Sequence, residues 1–421
     1  MDDRFLAYKI LSKIERDKAY SNIAVDTVLN QNEASSAPFV CALVYGVIER
    51  KITLDYFLLQ FLSQPIKKLN PQVLTILRMG VYQIKYMDKV PVSAAVNESV
   101  KLSKKVKCGF ASGLINSVLR KIASTKIDFP KTDNKVYDLS IAYSCPENLV
   151  AHFINDYGYI KAEEILKASI GAVPVILRVN TLKITYKELI LELANEGITA
   201  KSLGNGTAIE IVDGGTVFKT NAYKKGYFHA QDIASQDCIA NFAPEKNDVV
   251  FDMCAAPGGK SFTMAQMMEN QGEVYSFDLY DHKIKLVNDG AKRLGIDIIN
   301  AQIGDASVYN PNLPKADKIL CDVPCSGLGV IRRKPEIKYK DFRFVDKLCE
   351  LQYNILVNAS KYLKDKGVLM YSTCSLSNKE NVEVCRRFLD EHKEFKNGGM
   401  VTLFPHENGS DGFFYAKLIK E

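Results

Sequence analysis

The chain has 421 residues, of which 47% are hydrophobic and 25% charged, with a net charge of +6. That length exceeds a single hydrophobic core, so two or three domains are expected, and the proportions exclude a disordered chain. No apolar run reaches the roughly 18 residues needed to span a bilayer, and Met1 to Arg4 lacks the basic start, apolar stretch and cleavage site of a signal peptide. A cytoplasmic protein with no membrane contact is the expectation. The mild basic excess suits a polyanionic partner and equally an ordinary solvated surface. Ten cysteines scattered over this length fit a reducing compartment better than a disulfide scaffold. Cys321 and Cys325 are close enough to suggest zinc, but no second pair joins them, and no metal is expected.

In chain order, residues up to about Lys121 read as helices. Apolar side chains recur at helical spacing in Phe5 to Ile14, Phe39 to Ile48, Leu54 to Leu62, Leu74 to Ile84 and Leu114 to Leu119, with Pro65 and Asn70-Pro71 as breaks. This predicts an all-α bundle over 1–130 whose apolar stripes form a core. Asp128 to Asn134 reads as a linker. A small α+β module follows over 141–230, with strands at Val175 to Val179 and Ala208 to Val212 and a helix at Tyr186 to Asn195. From Gln231 to the end of the chain (231–421) the pattern is α/β and Rossmann-like. Strands are predicted at Val249 to Met253, Val274 to Phe277, Ile298 to Ile303, Lys318 to Cys321 and Val368 to Ser372, in a parallel sheet covered on both faces.

Ligands of open α/β sheets bind beyond the carboxyl ends of the strands. The first strand runs into Cys254-Ala255-Ala256-Pro257-Gly258-Gly259-Lys260 and then a helix. Glycines admit a close backbone approach, and a helix N-terminus offers free N–H groups to an anion. The loop lacks the Walker spacing, so a carboxylate suits it better than a phosphate chain. Asp278 ends the second strand, where an acid bonds ribose hydroxyls, and Asp305 follows the third, where it can accept from an adenine amino group. Either aspartate alone reads as a helix cap or turn residue. Two after successive strands point to a nucleoside site, and spacing fits S-adenosylmethionine and a dinucleotide alike.

The fourth and fifth strands end at Asp322-Val323-Pro324-Cys325-Ser326-Gly327 and Tyr371-Ser372-Thr373-Cys374-Ser375. Cys41, Cys238, Cys349 and Cys385 lie in helical patterns and read as small core hydrophobes. Cys325 and Cys374 instead occupy polar turns at the ligand crevice. Two thiols have a chemical use there. Carbon 5 of cytosine is a poor nucleophile, and a thiolate adding to carbon 6 makes it enamine-like, able to attack a methyl sulfonium. An acid such as Asp322 can bond the amino edge of the base, and a second cysteine can help remove the proton or release the product. Arg332, Arg333 and Lys334 follow the Pro-Cys turn directly and are candidates for RNA phosphates.

These three motifs, in this order, resemble the RNA 5-methylcytosine methyltransferases. The resemblance implies that Cys374 is the nucleophile and that Cys325 assists release. It also implies that S-adenosylmethionine lies at Cys254 to Lys260, Asp278, Asp305 and Asp322. Tyr45-Gly46-Val47-Ile48-Glu49-Arg50, Leu77 to Gln83 and Gly113 to Arg120 resemble the NusB-type RNA-binding helical domain, and Asp411 to Lys417 resembles the family's closing strand. One departure is Asn148, where relatives usually carry an aromatic residue. The whole pattern implies methylation of a cytidine in 16S rRNA, free or partly assembled into the small subunit, by a monomer. The target base is expected to be flipped or unpaired. The alternatives are a tRNA cytosine-5 methyltransferase, a non-catalytic NusB-like RNA-binding protein, and an exocyclic-amine methyltransferase. The last usually carries Asn/Asp-Pro-Pro-Tyr/Phe where this chain has Pro-Cys.

Overall fold

A computed structural model describes residues 2–17, 20–32 and 34–421. Contacts divide the chain into two compact units: residues up to Gly171 together with Ile331–Lys340, and Ala172–Val330 together with Asp341–Glu421.

The first unit is helical, with α1 (Asp3–Asp17), α2 (Ser21–Gln31), α3 (Ala37–Glu49), α4 (Lys51–Leu59), α5 (Pro71–Tyr86), α6 (Val92–Lys105), α7 (Ser112–Ser124), α8 (Lys135–Tyr143), α9 (Glu147–Tyr157) and α10 (Tyr159–Ala168). Local chemistry starts two of them. Ser36 accepts from the Phe39 N–H ahead of α3, and Asn70 accepts from the Gln72 and Val73 N–H groups ahead of α5, each beside a proline. Leu43, Val44, Val47, Leu77, Val81, Ile115 and Leu119 are buried in its core. The glycines of the NusB-like motifs are packing devices: a Cβ at Gly46 would lie 1.9 Å from the Tyr82 ring, and one at Gly80 2.5 Å from Leu119. Arg78 is buried and forks onto Asp55 through two 2.7 Å bonds, with a third bond of 2.8 Å to Glu15. The sequence pattern missed α8 to α10, and also α2 and α6, whose buried faces are rich in small or hydroxyl side chains: Ser21, Ala24, Val25 and Val28 in one, and Ala95, Val96, Ser99, Leu102 and Ser103 in the other.

The segment Ile331–Lys340 belongs to this unit. Glu336 accepts from the Ser21 N–H at 3.0 Å and the Ser21 hydroxyl at 2.8 Å, at the start of α2. Lys338, 3% exposed, donates to the Glu49 carbonyl at 2.6 Å at the end of α3, and the Tyr339 hydroxyl donates to the Ile48 carbonyl at 2.9 Å. An anion thus meets a helix N-terminus and a cation a helix C-terminus, the favourable sign at both ends.

The second unit opens with β1 (Val175–Val179), α11 (Tyr186–Asn195), β2 (Thr199–Ser202), β3 (Ala208–Asp213), α12 (Asn221–Lys224) and β4 (Phe228–Ala230). The strands form an antiparallel sheet in the order β2-β3-β1-β4. Then come α13 (Ile233–Phe242), β5 (Val249–Asp252), α14 (Gly259–Met267), β6 (Glu273–Asp278), α15 (Asp281–Leu294), β7 (Ile299–Ile303), β8 (Ala316–Asp322), α16 (Val345–Ser360), β9 (Leu363–Thr373), α17 (Val382–Glu391), β10 (Phe395–Leu403), α18 (Pro405–Asn408) and β11 (Phe413–Lys420). The large sheet has the order β10-β11-β9-β8-β5-β6-β7. It is mixed, which corrects the expectation of a parallel sheet. The stretch from β9 to β7 is parallel, but β11 runs antiparallel between β9 and β10, because the connection from β10 is too short for a crossover. Strand order reverses at β5, and a ligand crevice is expected beyond its carboxyl end. Asn180, after β1, joins the small sheet to the large one by donating to the Gly226 and Leu294 carbonyls, both at 2.8 Å.

Candidate active site

The loop after β5 is threaded between its neighbours: the Met253 N–H donates to the Leu320 carbonyl at 2.9 Å, and the Ala255 N–H to the Phe277 carbonyl at 2.8 Å. Gly258 has φ +108°, and a Cβ there would lie 2.4 Å from the Phe262 ring. No side chain caps the N-terminus of α14, which starts at Gly259. Asp252 is 1% exposed. Its Oδ2 accepts from the Ser261 hydroxyl at 2.6 Å, and its Oδ1 has no hydrogen-bond partner among the described residues. Burial, opposed by the Ser261 bond, pushes its carboxyl up to about 7. Sequence reasoning did not single Asp252 out, although it ends the first strand of the sheet. Asp278 is buried and paired with Lys283 at 3.1 Å. Asp305 is exposed, and its Oδ1 accepts from the Ser307 N–H at 2.9 Å and hydroxyl at 2.6 Å, the geometry of a turn.

The two predicted thiols meet. Asp322 in β8 is in register with Ser372 in β9, so the turns after these adjacent strands emerge side by side. The Cys325 and Cys374 sulfurs are 3.3 Å apart. The Gly329 N–H donates to the Cys374 carbonyl, and the Gly412 N–H to the Gly329 carbonyl, both at 2.9 Å. A Cβ at Gly329 would lie 1.8 Å from the Gly412 carbonyl oxygen, so only glycine allows the three segments to close up. Asp322 accepts from Lys260 at 2.6 Å and from the Ser372 hydroxyl at 2.9 Å. Burial opposes the Lys260 ammonium, but the Asp322 charge and hydrogen bond outweigh it and hold the group above its usual range. Lys260, in the first turn of α14, is thereby tied to the Pro-Cys motif, a link that spacing did not reveal. The Cys374 bond, burial and the negative charges of Cys374 and Glu380 push the Cys325 thiol well up. Glu380, which sequence reasoning left out, is fully buried.

Cys238 and Cys385 are core residues, while Cys41 and Cys349 are half-buried. Arg332 and Arg333, half-buried, and Lys334, exposed, fall in the segment that groups with the helical unit.

The helical unit, the small antiparallel sheet and the mixed seven-stranded sheet make a Rossmann-like methyltransferase with a NusB-like domain. Residues 239–419 match the family model of the 16S rRNA methyltransferases RsmB/F, 1–124 that of the NusB family, and 145–217 that of the RsmF/B-like ferredoxin-like domain. The probable ribosomal RNA small subunit methyltransferase B of Bacillus subtilis is 36% identical, over 99% of this chain and 98% of that protein. The like-named protein of Synechocystis is 31% identical, over 99% of both. The crystal structure of PH0851 has the same fold, with a TM-score of 0.83 at 24% identity over 100% of this chain and 99% of that one. NSun6 from Pyrococcus horikoshii with SFG matches at a TM-score of 0.61 and 25% identity, over 65% of this chain and 98% of that one. The chain belongs to the ribosomal RNA small subunit methyltransferase B family.

Proposed function

We propose that this enzyme transfers a methyl group from S-adenosylmethionine to carbon 5 of a cytidine in 16S rRNA, in the cytoplasm, through a transient bond between Cys374 and carbon 6. The observation that carries the reading is the thiol pair, 3.3 Å apart beyond adjacent parallel strands and beside the Lys260–Asp322 pair. The names of the relatives support rRNA as substrate, and the NSun6 structure contains SFG, an S-adenosylmethionine analogue. The end of β5 and the residues after it fit that cosubstrate: a helix start with no side-chain cap among the described residues for a carboxylate, and Asp252 Oδ1, without a partner among them, as an acceptor for an ammonium. Cys254 to Lys260, Asp278, Asp305 and Asp322 would hold it, and no metal is required. Residues 1–130 would serve RNA binding, 141–230 RNA recognition and 231–421 methyl transfer.

S-adenosylmethionine supplies an electrophilic methyl sulfonium. The Cys374 sulfur adds to carbon 6, and the ring electrons this releases make carbon 5 nucleophilic. Asp322 accepts from the exocyclic amine of the base. After methylation, a base at the site takes the carbon 5 proton, the freed C–H electrons restore the carbon 5–carbon 6 double bond, and the Cys374 sulfur leaves with the electrons of the carbon–sulfur bond. Cys325, its sulfur 3.3 Å from that of Cys374, is placed to take up that proton or to assist release, and the choice of Cys374 as the attacking thiol follows the family resemblance. Arg332, Arg333 and Lys334 are proposed RNA contacts.

The test is methyl transfer to 16S rRNA and to small-subunit particles from cells lacking the protein. Cys374→Ala should transfer nothing, and Cys325→Ala should accumulate a covalent protein–RNA adduct that migrates slowly in a denaturing gel. Normal turnover by either variant refutes the mechanism. Methyl on nitrogen, or on tRNA alone, refutes the substrate assignment.

A further inference from the structure

The turns that carry the two thiols are held by one side chain outside both motifs. Glu380 lies between β9 and α17 and is 0% exposed. Its Oε1 accepts from the Ser326 N–H at 2.8 Å and from Gln352 Nε2 at 3.1 Å. Its Oε2 accepts from the Ser326 hydroxyl at 2.5 Å and the Ser375 hydroxyl at 2.6 Å. Ser326 directly follows Cys325, and Ser375 directly follows Cys374. Gln352 Nε2 also donates to the Pro324 carbonyl at 2.9 Å, so the Pro-Cys turn is gripped on both sides of its cysteine. Glu380 is itself fixed, because its carbonyl accepts from the buried Tyr371 hydroxyl at 2.5 Å. The neighbouring Asn381 holds the other turn, accepting from the Thr373 hydroxyl at 2.6 Å and donating to the Ser375 carbonyl at 2.9 Å.

A buried carboxylate is costly unless its oxygens are bonded, and this one meets four donors. Three of the four donated bonds come from the two turns that carry the sulfur atoms. A stability role alone would be met by an apolar side chain of the same volume. We propose that Glu380 is a positioning residue for the thiol pair: one carboxylate that fixes the Cys325 and Cys374 turns to each other, so that both sulfurs reach the same carbon–sulfur bond. The inference rests on the two-thiol reading of the site.

The test reads thiol placement without RNA or cosubstrate. The full-length protein is treated with diamide, which takes up two hydrogens as two thiols become a disulfide, and formation of the Cys325–Cys374 disulfide is timed by mass spectrometry. Sulfurs held together react at a high effective concentration, so wild type should pair rapidly and Glu380→Ala at least about 10-fold more slowly. Glu380→Gln, which still presents an acceptor oxygen, should recover most of the rate. Ser375→Ala removes one of the four bonds to Glu380, together with the hydroxyl's contacts to the Ser326 hydroxyl and the Ser377 N–H, and remains informative if Glu380→Ala does not fold; it should slow pairing several-fold. Melting curves for each variant separate this from general destabilisation. A wild-type pairing rate in folded Glu380→Ala, or in Ser375→Ala, overturns the inference. That outcome is independent of methylation: failure of RNA methylation with slowed pairing would refute the proposed reaction and leave Glu380 as the clamp.

Discussion

At Asp252 burial and charge work against each other, and the pH dependence of stability should show it. Burial pushes its carboxyl up to about 7 in the fold, against about 3.9 for an aspartate in an unfolded chain. Between those values the unfolded chain has released the proton and the folded chain has not. Stability therefore falls as pH rises through that window and is level above it. At about 1.4 kcal/mol per pH unit the loss is on the order of 4 kcal/mol. Asp252→Asn should flatten the curve between about pH 4 and 7 and raise the urea midpoint at pH 8. Parallel curves for the two proteins would contradict this. Lys260 has the opposite sign of dependence. Its folded pKa lies above the usual lysine value, so its contribution is complete below that value and lost only in strong alkali. Asp322→Asn would leave this ammonium without its partner and should cost about 3 kcal/mol at neutral pH, measured by urea unfolding. An unchanged midpoint would mean that the pair contributes nothing.

Among the elements, α3, α5 and α7 approach closely only because Gly46 and Gly80 lack side chains. Gly80→Ala drives a methyl group to 2.5 Å from Leu119, and Gly46→Ala one to 1.9 Å from the Tyr82 ring. Each should cost about 1–3 kcal/mol in a denaturant titration, with Gly46→Ala the worse because a ring yields less readily than a leucine methyl. A neutral result for both would mean that the helices separate without penalty. The same elements show what the sequence carries. Helices with long apolar side chains announce themselves by spacing, whereas α6 buries Ala95, Ser99 and Ser103 and does not. Strands of the parallel sheet, covered on both faces, read as apolar runs ending in polar turns, which is why Cys325 and Cys374 could be paired from strand order. β10, broken by Gly398 and Gly399, and the short β2 and β4 carry no such signal. Nor does Glu380, whose partner Ser326 is 54 residues away and adjacent only in the folded sheet.

For the whole molecule, the decisive connection is the segment that leaves the sheet unit after Val330, completes the helical unit and returns at Asp341. Ile337 and Lys338 are buried there, Glu336 bonds the start of α2, and Lys338 bonds the end of α3. Cut away, residues 1–171 would expose the apolar seat of Ile337 and leave two helix ends without their charged partners, each worth roughly 0.3–1 kcal/mol. The fragment 1–171 should therefore unfold at lower temperature than the helical unit does in the full chain. A synthetic peptide of residues 331–340 should raise its melting temperature, because a ligand that binds only the folded form at about 100 times its dissociation constant adds about 2.7 kcal/mol. The same peptide carrying Glu336→Ala and Lys338→Ala should do so far less. If the fragment melts at the same temperature with and without the wild-type peptide, the segment is merely draped on the helices. If it responds, the chain that follows the Cys325 turn is a working part of the helical unit.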